Sequence, residues 1–279
     1  MTSLGSLWLR RGSWPGLLGK SSRSVAVRVG IVGGGAMGQW LRREIGKAHD
    51  VLIYDVDKSK SDVESLAALV EWSDVVLVAV PFWDTAKVLD AIAPTASGRL
   101  VMDIATFKEG LAEVYRRFPP DAEVATVHPL FGPGASGIRG QRVLVMEVPG
   151  RSGAQRAFEF WRSLGAEVEW GDLSKHDYYV SRTIALSYAV GLALARLYSE
   201  AGEEIVKYGG TSFKYLATYA FSLLRDKNAQ RYAERAPLDE FMKALQEGGD
   251  LGRSLIDPDV AYERFYKALE CIGDIFKRE

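Results

Sequence analysis

Residues 29–38 read Val-Gly-Ile-Val-Gly-Gly-Gly-Ala-Met-Gly, an apolar run that enters the pattern Gly-x-Gly-x-x-Gly. Apolar residues at helical spacing follow at once, so the stretch predicts a strand, a tight turn and a helix. Glycines in this arrangement allow the turn, the close approach of a pyrophosphate and the packing of the helix on its strand. The first N–H groups of such a helix suit phosphate binding. The predicted phosphate-binding residues are Gly33, Gly35, Ala36, Met37 and Gly38.

An acidic residue at the end of the second predicted strand indicates which dinucleotide binds. Residues 51–55 read Val-Leu-Ile-Tyr-Asp, and Asp55 follows Gly35 by about 20 residues, the spacing of an acid that accepts from ribose hydroxyls. Because a carboxylate there repels a 2′-phosphate, the sequence favours NAD over NADP. The neighbouring Lys58 and Lys60 keep NADP open as an alternative.

Strand patterns alternate with helical ones through the first half of the chain. They predict a doubly wound, Rossmann-type parallel sheet with right-handed crossovers, in which ligands bind at the carboxyl ends of the strands. Val80 and Pro81 end the third strand and are predicted to border the cofactor. The predicted strands are residues 25–31, 51–55, 74–80, 100–104, 123–127, 143–148 and 167–170.

The remaining chain divides into a tail and a helical part. Residues 1–24 contain four basic residues and no acid, and they are interpreted as a disordered tail. The dinucleotide-binding domain is predicted at 25–174 and an all-helical substrate and dimerisation domain at 175–279. A predicted helix at 177–201 is apolar on nearly all sides, which favours a homodimer in which a second subunit covers it.

Composition excludes several classes of protein. The chain has 279 residues, 47% hydrophobic content and a net charge of −1, which argues against a nucleic-acid partner. The single cysteine, Cys271, excludes an internal disulfide and a cysteine-based zinc site, so we expect no metal and a cytoplasmic location. The longest apolar run, 184–195, is shorter than the ~20 residues that span a bilayer, so no membrane partner is expected.

Three short segments with polar side chains lie next to predicted strand ends or open the helical half. They are residues 103–108 (Asp-Ile-Ala-Thr-Phe-Lys), 127–134 (Val-His-Pro-Leu-Phe-Gly-Pro-Gly) and 175–177 (Lys-His-Asp). Imidazole titrates near neutrality, so His128 at a strand end suits proton removal from an alcohol during hydride transfer. The alternative is a structural histidine bonded to a backbone carbonyl.

By these three segments the chain resembles the prephenate and arogenate dehydrogenases of tyrosine biosynthesis, from about residue 28 onward. The resemblance implies a monofunctional enzyme with a nucleotide-binding domain and a helical dimerisation domain. It implies that His128 accepts the proton of the substrate alcohol, while Thr106, where the family usually has serine, holds the same oxygen or orients the imidazole. It further implies that Lys108 pairs with a substrate carboxylate and that His176 lies near the substrate.

One position departs from the family pattern. The family commonly has an arginine after an aromatic residue in a C-terminal helix, which grips the ring carboxylate, whereas this chain has Lys214 after Phe213. Lysine provides a point charge in place of a two-pronged donor. Arg225 and Arg182 are alternative partners for that carboxylate.

The resemblance leaves the substrate open. The reaction expected first is NAD-dependent oxidative decarboxylation of prephenate to 4-hydroxyphenylpyruvate, and the alternative is arogenate to tyrosine. A dehydrogenase of 3-hydroxy acids is a further alternative, which would resemble this chain in its first half only. A nucleotide-sensing binding module without catalysis is the alternative from another class. Feedback inhibition by tyrosine, common in the family, is not indicated by any residue.

Overall fold

The computed structural model describes residues 26–247, 255 and 257–272. The predicted tail, residues 1–24, lies outside the described residues. A seven-stranded sheet in the order β2-β1-β3-β4-β5-β6-β7 forms the centre of the first half. Its strands are β1 (Arg28–Val32), β2 (Asp50–Tyr54), β3 (Val75–Val78), β4 (Leu100–Asp103), β5 (Glu123–Pro129), β6 (Arg142–Met146) and β7 (Glu167–Trp170).

The predicted fold class is confirmed, with one difference in strand direction. Strands β1 to β5 are parallel, but β6 pairs antiparallel with β5, and β7 is parallel to β6. The physical reason for this direction is the connection between β5 and β6. A parallel return needs a crossover, usually a helix, whereas residues 130–141 form a loop without one, so the chain comes back alongside β5 in the opposite direction.

Helices cover both faces of the sheet because its strands are apolar on both sides. Helices α1 and α5 pack on one face, where Trp40 and Trp161 are buried, and α2, α3 and α4 pack on the other. The helices are α1 (Ala36–Ile45), α2 (Leu66–Trp72), α3 (Phe82–Ile92), α4 (Leu111–Tyr115), α5 (Ala154–Ser163), α6 (Leu173–Val180), α7 (Leu186–Ala201), α8 (Ile205–Tyr208), α9 (Thr211–Leu223), α10 (Ala229–Ala233), α11 (Leu238–Glu247) and α12 (Pro258–Ile272).

The part of the chain described after β7 is helical, as predicted. Helices α6 and α7 join through a π-helical turn at Ser181–Ala185 into one helix of 29 residues. By length and composition this helix could span a membrane, but its first turns contact the sheet through His176 and Asp177. Helix α9 packs closely on α7 at Gly191, where a Cβ would lie only 2.4 Å from the Leu223 side chain.

Candidate active site

The glycine turn between β1 and α1 has the geometry expected of a phosphate-binding loop. Gly33 has φ +110°, and a Cβ there would lie 2.6 Å from the Ala79 carbonyl oxygen. A Cβ at Gly38 would lie 1.8 Å from the Gly33 oxygen, so both positions require glycine for the turn and the packing. A Cβ at Gly35, the residue that caps α1, would meet no atom within 4 Å. The open space at Gly35 is therefore available to a ligand.

The charged residues at the end of β2 are already organised. Asp55 accepts the backbone N–H groups of Gly34, at 2.6 Å, and Asp57, at 2.8 Å. Lys60 pairs with Asp57 at 2.8 Å, and Lys58 donates to the Glu64 carbonyl at 2.6 Å. Both lysines are thus engaged by groups other than a bound phosphate.

Across the crevice between β1 and β3, Val80 contacts the turn and Pro81 caps α3.

His128 lies at the carboxyl end of β5 and is buried, with 4% of its surface exposed. Its Nδ1 is 2.9 Å from Nε2 of His176, and Nδ1 of His176 is 2.7 Å from the Asp177 carboxylate. Burial and then the charge of Lys108 and the neighbouring His176 hold the pKa of His128 well below its usual value of 6.5. The ring is therefore neutral near pH 7, as a proton acceptor must be.

The structure places His176 directly beside His128. Both of its ring nitrogens have protein partners, and the residue is 5% exposed, so it has no nitrogen left for a substrate. It lies near His128 because α6 begins at Leu173 and points its first turn at the end of β5. His176 thus contacts the proposed base instead of the substrate.

Lys108 is also placed differently from the prediction. Its side chain is 1% exposed, and its ammonium lies 2.5 Å from the Asp103 carboxylate and donates to the Val127 carbonyl at 2.7 Å. Tyr115 donates to the other Asp103 oxygen at 3.0 Å. An ammonium held this way is not free for a substrate carboxylate. The Lys108 backbone N–H, in addition, donates to both oxygens of Asp177.

Thr106 connects the sheet to the helical part. It is half-buried, and its hydroxyl lies near that of Tyr232 of α10, whose pKa is raised by burial. The Tyr232 ring packs 5.6 Å from Phe82, and Phe82 packs 5.2 Å from Phe107. This aromatic group therefore closes the space beside Thr106 at the ends of β3 and β4.

The three other predicted carboxylate partners do not meet His128 in this chain. The Arg182 guanidinium is paired with Glu240 at 2.5 Å and stacks on Tyr178. Lys214 follows Phe213, which packs on Tyr198, about 30 Å along the α6–α7 helix from His176 at 1.5 Å per residue. Arg225 is exposed at the end of α9. Within one chain, Arg182 is thus paired with another group and Lys214 is far from His128, and their role toward a substrate carboxylate stays a prediction.

Two arginines that were not predicted as site residues lie beside the aromatic group around Tyr232. The Arg231 guanidinium lies 4.3 Å from the Trp83 ring centroid, and Arg235 lies 5.5 Å from Phe82 and pairs with Glu109. Arg231 directly precedes Tyr232 on α10, and Arg235 follows Tyr232 by three positions, just beyond the end of the helix at Ala233. Nothing in the local sequence pattern marks them, since they reach α3 only through the packing of α10.

The fold and this site define a dinucleotide-binding domain of the dehydrogenase type, followed by a helical region. Residues 41–147 match the family model described as prephenate dehydrogenase, nucleotide-binding domain. Residues 41–147, less than half of the chain, are therefore similar to the nucleotide-binding domain of the prephenate dehydrogenase family, and the resemblance predicted from the motifs is confirmed. No curated protein sequence matches the chain.

Solved structures share the fold. A Corynebacterium glutamicum protein, provisionally called a prephenate dehydrogenase, has 19% identity and a TM-score of 0.66, covering 88% of this chain and 89% of its own. Prephenate dehydrogenase from A. aeolicus, in complex with hydroxyphenyl propionate and NAD+, has 22% identity and a TM-score of 0.59, covering 88% and 96%. Synechocystis arogenate dehydrogenase has 16% identity and a TM-score of 0.57, again covering 88% and 96%.

Proposed function

We propose that this protein oxidises prephenate with loss of CO2 to give 4-hydroxyphenylpyruvate, with NAD as the hydride acceptor. The observation that supports this most directly is an imidazole, His128, at the carboxyl end of β5, in a domain similar to that of this family. Arogenate is the second candidate substrate, since both prephenate and arogenate dehydrogenases share the fold.

NAD is proposed as the cofactor because the loop fits a dinucleotide. Gly35 leaves open space at the start of α1, where a pyrophosphate would meet helix N–H groups. Asp55 lies where ribose hydroxyls would be bound, and the pairing of Lys58 and Lys60 with protein groups leaves a 2′-phosphate without a ready cation. The A. aeolicus relative was solved with NAD+.

The proposed chemistry needs one base. When bound, the nicotinamide supplies the acceptor for the hydride that leaves the carbon of the substrate alcohol. His128 accepts the alcohol proton as the C=O bond forms, and Thr106, which follows the neighbouring strand β4, donates to or accepts from that oxygen. The ring carboxylate then leaves as CO2, and its bonding electrons complete the aromatic ring. The protein supplies orientation and one proton acceptor.

Two arginines, one on α10 and one just after it, are proposed to bind the substrate carboxylates. Lys108 is buried in its pair with Asp103, whereas Arg231 and Arg235 lie beside the aromatic group around Tyr232. Arg235 would have to exchange its exposed partner Glu109 for the substrate. Guanidinium groups bind carboxylates with two parallel hydrogen bonds, and stacking on Trp83 fixes the plane of Arg231. Arg225 remains a third candidate.

The assembly is proposed to be a cytoplasmic homodimer formed through the helical region. Only 22% of the most apolar part of the α6–α7 helix is buried within one chain. Large apolar side chains are exposed nearby on α7 and on α9 and its C-terminal end, and a second copy would cover them. They are Leu197, Leu216, Phe221 and Leu224. Analytical ultracentrifugation of the protein tests this proposal, which a monomer at micromolar concentration would contradict.

The test of the function is NADH formation with NAD and prephenate, followed by the same assay with arogenate. His128→Asn should bind NAD normally and lose turnover, while His49→Asn, a histidine that packs on Phe160 away from the site, should keep it. NAD binding with no turnover of either substrate would favour the nucleotide-sensing module. Equal turnover by His128→Asn would remove His128 as the base.

A further inference from the structure

Three side chains from two distant segments lie in one hydrogen-bonded row. His128 comes from β5, and His176 and Asp177 come from the first turns of α6. The contacts are His128 Nδ1 to His176 Nε2, 2.9 Å, and His176 Nδ1 to Asp177 Oδ1, 2.7 Å. Both rings are at least 95% buried, so water does not compete for these contacts.

When both rings are neutral, the row has one consistent assignment of protons. The Asp177 carboxylate accepts the Lys108 backbone N–H at 2.9 and 3.0 Å. An ionised carboxylate can only accept hydrogen bonds, so His176 must donate to it from Nδ1. A neutral His176 then presents a lone pair at Nε2, so His128 must donate from its own Nδ1. The lone pair of His128 consequently resides on Nε2, the nitrogen that has no part in the row.

We infer that His176 and Asp177 are positioning residues that hold His128 in the Nδ1–H tautomer, so that Nε2 accepts the proton of the substrate. The role toward a substrate rests on the proposed function, whereas the tautomer does not. In the proton-transfer step, the O–H bond of the alcohol breaks and an Nε2–H bond forms. The positive charge on His128 is then stabilised by the Asp177 carboxylate through His176, and Asp177 stays ionised.

The charges around His128 show why such stabilisation is needed. The Lys108 ammonium faces the ring from the segment after β4, and it disfavours a second positive charge even though Asp103 pairs with it. His176 and Asp177 face the ring from α6, and Tyr115 from α4 is bonded to Asp103. Asp177 is the carboxylate in this group that is joined to His128 through hydrogen bonds.

Nitrogen NMR of the histidine rings tests the tautomer without any substrate. The chain has three histidines, so an untagged protein labelled with ¹⁵N-histidine gives three ring systems. His128 and His176 are expected to show protonated Nδ1 and unprotonated Nε2. His49 is the internal reference with the opposite tautomer, because its Nδ1 faces the Val27 N–H at 3.4 Å. A neutral His128 ring that carries its proton on Nε2 would overturn the inference.

A matched pair of variants tests the consequence for catalysis. Asp177→Asn removes the carboxylate charge that accepts the hydrogen bond of His176. The control, Asp172→Asn, alters the exposed N-cap residue of the same helix, where asparagine is an equally good cap. Asp177→Asn should lower kcat at least about 100-fold with little change in KM, as expected when a histidine loses the carboxylate that orients it. Asp172→Asn should stay within about twofold of the parent, a margin that corresponds to a few tenths of a kcal/mol.

The pH profile separates positioning from a general structural effect. Loss of the Asp177 charge lowers the pKa of His128 further, so the acidic limb of the kcat profile of Asp177→Asn should move to lower pH. An unmoved limb, or equal loss of kcat in Asp172→Asn, would overturn the inference. If the wild-type protein oxidises neither prephenate nor arogenate, the proposed function fails while the NMR result still decides the tautomer.

Discussion

Substitution of Gly35 tests the cofactor loop with the least disturbance of the fold. Gly35 caps α1 in an extended conformation, φ −71° and ψ −173°, which alanine can adopt, and its Cβ would meet no protein atom within 4 Å. Gly35→Ala should therefore change the free energy of unfolding only by the difference in N-cap preference, at most about 1 kcal/mol. If a pyrophosphate lies against this residue, the new methyl group overlaps it. Overpacking of that size costs roughly 1–3 kcal/mol, or about 5- to 150-fold in the Kd for NAD.

Two further glycine variants complete the experiment. Gly210 caps α9 with a similar extended backbone and open surroundings, so Gly210→Ala controls for the N-cap effect and should leave NAD binding unchanged. Gly38→Ala should destabilise the protein as well, because its Cβ would lie 1.8 Å from the Gly33 oxygen. NAD binding is measured by calorimetric titration and stability by chemical denaturation. A Kd for Gly35→Ala equal to that of the parent would refute the assignment of the loop.

Three more predictions follow from the charged groups. Lys108→Met should destabilise the fold by about 3–5 kcal/mol in chemical denaturation, because it leaves the Asp103 carboxylate buried and unpaired; a neutral result would mean that Asp103 is protonated or hydrated. The pKa of His128 is lowered below the 6.5 of an unfolded chain, so the stability that the neutral ring contributes is complete above about pH 6.5. That stability is lost as the pH falls, by at most about 1.4 kcal/mol per pH unit. His128→Asn should remove that slope, and an unchanged slope would contradict the lowered pKa. Arg231→Ala should raise KM for the substrate roughly 10-fold or more without changing the Kd for NAD, as loss of a charged hydrogen bond predicts, whereas Arg196→Ala on the exposed side of α7 should change neither; an unchanged KM for Arg231→Ala would exclude it as a carboxylate partner.

Local sequence patterns were sufficient to predict the elements and the position of His128, the proposed base, at a strand end. All seven strands lie where apolar runs and alternation predicted them, as at Val75–Val78, because burial on both faces of a sheet requires continuous apolar residues. The glycine turn was readable because its backbone geometry permits few other residues. His128 was readable because a strand end followed by proline already fixes its place at the edge of the sheet.

Side-chain partners were decided by the tertiary structure. Lys108 and His176 are in the segments where they were predicted, yet Lys108 meets Asp103 and His176 meets His128, so neither is free for a substrate. The direction of β6 likewise depended on the path of residues 130–141. The sequence by itself determined which residues form strands, helices and the glycine turn, since these depend on neighbours within a few positions. Only the tertiary structure decided which charges are paired, because partners from segments far apart in the chain meet only when α6 and α10 pack against the ends of the strands.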